Sequence, residues 1–219
     1  MNEKQIGTFL YLAEVFKTHH FNLYLVGGSV RDYLLNIDIK DLDVVTDATP
    51  KEMKEFLKEA NYTFEKFGSV SLVFEGLHFD ITTLRKENGY VDFRHPGDIE
   101  FVKDLNIDVK RRDFTINALY LDSSLRVIDL VKGQKDLESH LIRMIGKPNQ
   151  RLKEDPLRIL RAIRFYFDYS FDIDKKLLKA IQKNISLVDK LNPQKVNQEV
   201  NKSNNKENIY DFLSQMKKK

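Results

Sequence analysis

The sequence contains no cysteine and no tryptophan. Without thiols there are no disulfides and no thiolate metal sites, so any metal must rest on oxygen or imidazole ligands. The absence also fits a reducing compartment. No apolar run approaches the roughly 20 residues that a helix needs to cross a bilayer. The opening segment, "MNEKQIGTFLYLAEVFKTHHF", carries acids early and reads as an amphipathic helix rather than a signal peptide. A soluble protein of the cytoplasm, without a membrane partner, is the expectation. Internal repeats are also lacking, and the histidines do not cluster, so His95 in "FRHPGD" reads as a loop residue and not as a metal ligand.

What is present suffices for one or two domains with a proper core, since the chain has 219 residues. Its formal net charge of +3 hides an asymmetry. Residues 1–139 hold 18 basic and 24 acidic side chains, whereas residues 140–219 hold 18 and 9. Such a division suggests a cation held by the first part and a polyanion tracked by the second. A solvated basic helical face is the alternative, and composition leaves both open.

Apolar positions from Ile6 to Phe16 recur at helical spacing. "NLYLV" reads as a strand, "VRDYLL" as a helix and "LDVVT" as a second strand. In "ATPKEMKEFLKEAN", Thr49 is placed to cap a helix that has Pro50 at its first position. "SVSLVFE" and "HFDITTLR" form a hairpin around "GL", and "RKENGYVDFRHPGD" is a polar loop. "RRDFTINALYLD" ends as a strand paired with "RVID". Beyond about His140 the segments "EDPLRILRAIRFYFDY", "DKKLLKAIQKNISLV", "NPQKVNQEVNKS" and "KENIYDFLSQM" read as helices, with a frayed "KKK" at the end. The expected organisation is therefore a mixed α/β head over residues 1–139 and a helical part over 140–219.

Chemistry concentrates in the head. Asp41 and Asp43 are two apart, so on a strand their carboxylates face the same way. Like charges so close repel unless a cation lies between them, and oxygen-only ligation favours Mg²⁺. Two-metal phosphoryl transfer uses such a cluster, with a third carboxylate for which Asp80 in "HFDITTLR" is the candidate. Gly27 and Gly28, where a strand gives way to a helix, let backbone approach a ligand and aim amides at an anion. Ser29 caps that helix or bonds a phosphate oxygen. Arg31 and Asp32 form either a brace near a triphosphate or an exposed pair.

"LVGGSVRDYLL" with "DLDVVT" resembles the first motif of the class II nucleotidyltransferases, the family of CCA-adding tRNA nucleotidyltransferases and bacterial poly(A) polymerases. The likeness continues in family order through "FGSV", "FDITTLR", "DVKRRDFTINALYLD" and "IGKPNQRLKEDPLRILRAIRF". It implies an α+β fold, a mixed polymerase-β-like nucleotidyltransferase sheet with helices on one face, followed by an all-helical neck. By the resemblance, Asp41 and Asp43 bind metal, and Asp80 stands where the family places a third carboxylate, usually glutamate. Arg112 and Asp113 match the pair that recognises the ribose hydroxyl. Glu154, Asp155 and Arg158 match the residues that offer hydrogen bonds to the incoming base. If 155 and 158 share a helix face, a carboxylate and a guanidinium lie side by side and can read the amine and ring nitrogen common to cytosine and adenine. Arg158, Arg161 and Arg164 then form a basic stripe, of which Arg161 and Arg164 either approach RNA backbone or edge a packed helix.

Two departures stand out. Where the family has a Glu-Arg-Ile-x-x-Glu-like helix that buttresses the base-reading one, this chain has "QKVNQEV", keeping only Glu199. The chain is also shorter than familiar members, from which a weak, salt-sensitive hold on RNA is expected. The implied activity is addition of C, or C and A, to the 3′ end of tRNA from CTP and ATP with Mg²⁺ and no nucleic-acid template. Enzymes adding only CC or only A share the motifs, and the loop from Lys86 to Asp98 lies where the family controls the switch. A poly(A) polymerase ranks lower because "FGSVSLVF" replaces an arginine-rich segment. An RNA-binding remnant is disfavoured by the intact Asp-x-Asp. Oligomeric state is not legible.

Overall fold

The computed structural model describes residues 1–39, 41–90 and 96–217. The chain folds as two compact units. The first comprises residues 1–87, 99–112 and 116–133, and the second residues 88–98, 113–115 and 134–219.

The first unit opens with α1 (Glu3–Thr18), which buries Phe9, Leu12, Ala13 and Phe16 along one stripe. Its start is fixed by a reciprocal cap: the Asn2 side chain accepts from the Gln5 N–H, and the Gln5 side chain from that of Asn2. β1 (Leu23–Val26), α2 (Gly28–Leu34) and β2 (Leu42–Thr46) follow. α3 (Pro50–Phe56) carries the expected Thr49 cap, completed by Glu52. β3 (Ser69–Phe74) and β4 (Leu77–Thr83) form a hairpin whose turn residues are Glu75 and Gly76, both at positive φ, one step earlier than the "GL" of the sequence reading.

β5 (Arg85–Tyr90) and β6 (Pro96–Phe101) pair as a separate two-stranded ladder. This corrects the reading of "RKENGYVDFRHPGD" as a loop. Here the alternation is ionic: Arg85 and Glu87, two apart on β5, bond each other at 2.8–2.9 Å, so no apolar period announces the strand. The part of that reading covering residues 91–95, His95 included, lies outside the described residues, as do the last two lysines of the tail. A short α4 (Leu105–Asp108) then leads to β7 (Leu119–Leu121) and β8 (Val127–Asp129), paired as expected.

Six strands form one mixed sheet in the order β3-β4-β2-β1-β7-β8, antiparallel except for β2 beside β4. α1 and α2 pack against β1. Fully buried Leu25, Val44, Phe79, Ile81 and Leu121 make the sheet's share of the core. The mixed sheet with helices and the helical second part are the expected fold class.

In the second unit come α5 (Gly133–Glu138), β9 (Leu141–Ile142), α6 (Pro148–Glu154), α7 (Leu157–Tyr169), β10 (Asp172–Ile173), α8 (Lys175–Asn184), α9 (Pro193–Val200) and α10 (Lys206–Lys217). Beyond residue 134 its regular elements are helices apart from a parallel β9–β10 ladder, and parts of β5 and β6 also belong to this unit. α7 is central: Ile159, Leu160, Ala162, Ile163 and Phe165 are buried, with α9 and α10 packed on it, while α6 lies against α8. Among the described residues no helix is long and apolar enough to cross a membrane.

Candidate functional site

In the first unit the carboxylates meet on two neighbouring parallel strands, near the start of β2 and at the middle of β4. Asp43 of β2 is the register partner of Asp80 of β4, so the two side chains stand next to each other on one face. Asp41 lies just before β2, and His78 links the set: its imidazole is 3.9 Å from Asp41 Oδ1 and 4.0 Å from Asp80 Oδ1. The sequence reading passed over His78. Its signal was there, two residues before Asp80 on the same strand and therefore on the same face.

The Asp43 carboxyl is pushed up to about 6, first by partial removal from water and then by the charge of Asp80, with Arg112 pulling the other way. Among the described residues no three His, Asp or Glu groups close into a ready ligand set. The donor chemistry nonetheless suits a hard cation: the carboxylates are oxygen donors, and Asp43 carries an unfavourable excess of negative charge that a divalent ion between it and Asp80 would relieve.

The glycine turn sits against this cluster. Gly27 has φ +68° and ψ −132°, a conformation closed to side-chain-bearing residues, and a Cβ on it would stand 3.8 Å from Asp43 Oδ2. Ser29 departs from the helix-cap reading, since α2 has no side-chain cap at its start. Its buried hydroxyl donates to the Asp41 carbonyl at 3.2 Å and accepts the Asp43 N–H at 2.8 Å, pinning the backbone that carries both aspartates. Arg31 is not part of an exposed pair. It is buried, forked onto Asp32 at 2.9 and 3.0 Å, and reaches Asn117 Oδ1 at 2.5 Å.

Arg112 is half-buried, its Nε 3.0 Å from Asp108 Oδ2 and 3.1 Å from the Tyr120 hydroxyl. Asp108 and Tyr120 escaped the sequence reading, Tyr120 because it looked like one more apolar residue of a strand. Asp113, the chain neighbour of Arg112, belongs to the second unit and has its own partners: Oδ1 accepts the Phe114 N–H at 2.7 Å, and Oδ2 is 2.8 Å from Arg161 Nη2.

In that unit the shared helix face of residues 155 and 158 gives way to a break. Asp155 is extended, at φ −146° and ψ 94°, because it precedes Pro156, which excludes the helical conformation there. α6 ends at Glu154 and α7 starts at Leu157. Asp155 instead accepts the Leu157 N–H at 3.1 Å, and its Oδ2 still comes within 3.8 Å of Arg158 Nε. Arg158 is buried, donates to the Arg151 carbonyl at 2.8 Å, and lies 3.7 Å from Glu154. The break therefore keeps carboxylate and guanidinium adjacent by a turn rather than by helix periodicity.

Arg164 sits in a packed helix edge. It bonds Glu199 at 2.8 Å, approaches Asp168 at 3.5 Å and lies over the Phe165 ring. Burial alone would push Glu199 up, but Arg164 and then Lys202 hold its carboxyl below the usual range. The one residue of "QKVNQEV" that keeps the family pattern thus ties α9 to α7.

Residues 23–143 match the family model described as the poly A polymerase head domain. The chain belongs to that family. Its nucleotidyltransferases are generally metal-dependent. Among relatives, it is 42% identical over 179 residues to a CCA-adding enzyme of Lactobacillus helveticus, covering 82% of this chain and 45% of the relative. It is 38% identical over 200 residues to one of Staphylococcus epidermidis, covering 90% and 50%. Among solved structures, the Bacillus stearothermophilus CCA-adding enzyme in complex with CTP superposes with a TM-score of 0.82 at 31% identity, over 91% of this chain and 48% of that one. The Thermotoga maritima enzyme complexed with tRNA-CCA gives 0.80 at 26% identity, over 99% and 52%. The chain spans about half the length of these relatives.

Proposed function

We propose that the chain carries the nucleotidyl-transfer centre of a CCA-adding tRNA nucleotidyltransferase, which extends the tRNA 3′ end with C and A from CTP and ATP in the cytoplasm, without a nucleic-acid template. The observation that carries this reading is the Asp43–Asp80 pairing across β2 and β4, with Gly27 against it and the Asp43 carboxyl up at about 6. In this reading Asp41 and Asp43 hold Mg²⁺, with Asp80 as third carboxylate. When bound, the metal activates the RNA 3′-hydroxyl for attack on the α-phosphate and neutralises the departing pyrophosphate. Ser29 keeps the two aspartates in place, Gly27 and Gly28 leave room for the triphosphate, and Arg31 adds positive charge beside it.

Residues 1–139 then serve as catalytic head and 140–219 as the neck that reads base and RNA. Arg112 and Asp113 recognise the ribose. Glu154, Asp155 and Arg158 present the hydrogen-bonding groups for cytosine or adenine, and Arg161 meets RNA backbone. Arg164, engaged with Glu199 and Asp168, contributes by holding α7.

The test is incubation with tRNA lacking its CCA end and each labelled triphosphate. Incorporation of CTP and then ATP to a fixed length supports the reading, and long A tails would establish poly(A) polymerase instead. Asp41→Ala should abolish incorporation while the far-ultraviolet circular dichroism stays unchanged, and turnover near that of the parent refutes the metal assignment.

A further inference from the structure

Asp108 is fully buried, and its carboxylate collects donors from three directions. Oδ2 takes Arg112 through Nε at 3.0 Å and Nη2 at 2.9 Å, and the Tyr120 hydroxyl at 2.9 Å. Oδ1 takes Arg111 Nε at 2.7 Å and the backbone N–H of Arg85, the first residue of β5, at 3.2 Å. Arg85 and Arg111 in turn share Glu87. The Tyr120 ring lies under the Arg112 guanidinium, 5.1 Å from its carbon, so that the arginine is gripped along its Nε/Nη2 edge and across its face.

A burial of this depth is costly for a lone carboxylate, and it persists because every oxygen is saturated with charged or polar donors. The grip fixes the plane and reach of Arg112, whose charge is felt at Asp43. None of this is required merely to fill the core, which apolar residues of the same volume would do at least as well.

We propose that Asp108 is a positioning residue for nucleotide selection: it sets Arg112 for the sugar of the incoming nucleotide and ties that arginine to the base of the β5–β6 hairpin. The inference rests on the reading of Arg112 as a ribose contact. Asp108→Asn keeps the shape but removes the charge and turns one acceptor into a donor facing a cation. Arg112 then loses its fixed orientation, while Asp41, Asp43 and Asp80 are untouched.

The experiment is equilibrium binding of CTP and of dCTP to the full chain in the presence of Mg²⁺, with steady-state incorporation of both into tRNA lacking its CCA end. In Asp108→Asn the preference for CTP over dCTP should fall by about tenfold, the worth of one charge-assisted hydrogen bond, mostly through a higher KM for CTP. Peptides spanning residues 85–90 should exchange their amide hydrogens faster. A structural role alone weakens both nucleotides equally. An unchanged ratio in a folded variant, or an equal loss for both, overturns the proposal while leaving the catalytic reading intact. Failure of the parent chain to bind either nucleotide overturns the catalytic reading and this inference with it. Should Asp108→Asn not fold, Tyr120→Phe removes only the hydroxyl that braces Arg112, and the same ratio decides.

Discussion

At Asp43, activity and stability pull in opposite directions. Its carboxyl ionises at about 6 in the fold against an ordinary 3.8, so the native state prefers the proton. The sign follows from linkage: a raised carboxylate costs the fold nothing below its ordinary value and destabilises it increasingly as pH rises through about 6. In chelator, Asp43→Asn should therefore melt at a higher temperature than the parent at about pH 8, and the gap should close near pH 4. Adding Mg²⁺ should raise the melting temperature of the parent and not that of the variant. Thermal melts across pH with and without the ion read both effects, and a variant less stable than the parent at pH 8 in chelator would contradict the crowding of Asp43 by Asp80. Because this side chain keeps contact with solvent, the effect is a fraction of what a buried charge would give.

At the scale of elements, turns do much of the placing. Gly68 leads into β3 at φ +75°, and a Cβ there would stand 2.7 Å from the Phe101 ring of β6. Gly68→Ala should cost about 1–3 kcal/mol from left-handed strain with some displacement of that ring. Urea unfolding checks this as a lower midpoint at unchanged slope. The same scale explains what the sequence reveals. α1, α3, β1 and β2 are legible because apolar period, caps and Pro50 agree on them. β5 escapes because Arg85 and Glu87 stabilise it by pairing with each other, which leaves a polar string with no period. The Asp155 break is legible in principle from Pro156 alone, but the apolar positions beyond it extend so regularly that they pull the helix one turn too far. In the site, the carboxylates could be picked out by type and spacing. Ser29 as backbone brace, the reach of His78 to Asp41 and the Tyr120 hydroxyl on Asp108 depend on which elements become neighbours, and local pattern does not contain that, whereas Asp108 with Arg112 is a four-residue pair open to local reading.

Over the whole molecule the charge asymmetry has a structural carrier. Residues 140–219 hold 18 basic against 9 acidic side chains, and α8 concentrates part of that excess. Leu177, Ala180, Ile181 and Asn184 turn inward, leaving Lys176, Lys179 and Lys183 exposed at spacings of three and four, one stripe of a single helix. A solvated face and a phosphate-tracking face look alike at rest, but they differ in what salt does to binding. Each phosphate neutralised by a lysine releases condensed counterions, so log Kd should climb with log salt by about 0.7 to 0.9 per contact. If the stripe meets tRNA, Lys179→Gln with Lys183→Gln should weaken tRNA binding at low salt and flatten that slope by about 1 to 2, leaving CTP binding and thermal stability as they were. Binding titrations from about 50 to 200 mM salt make the measurement, since a few contacts change affinity many-fold over that range. An unaltered slope assigns the stripe to solvation, and Arg161 is then the next substitution with which to test the proposed RNA contact.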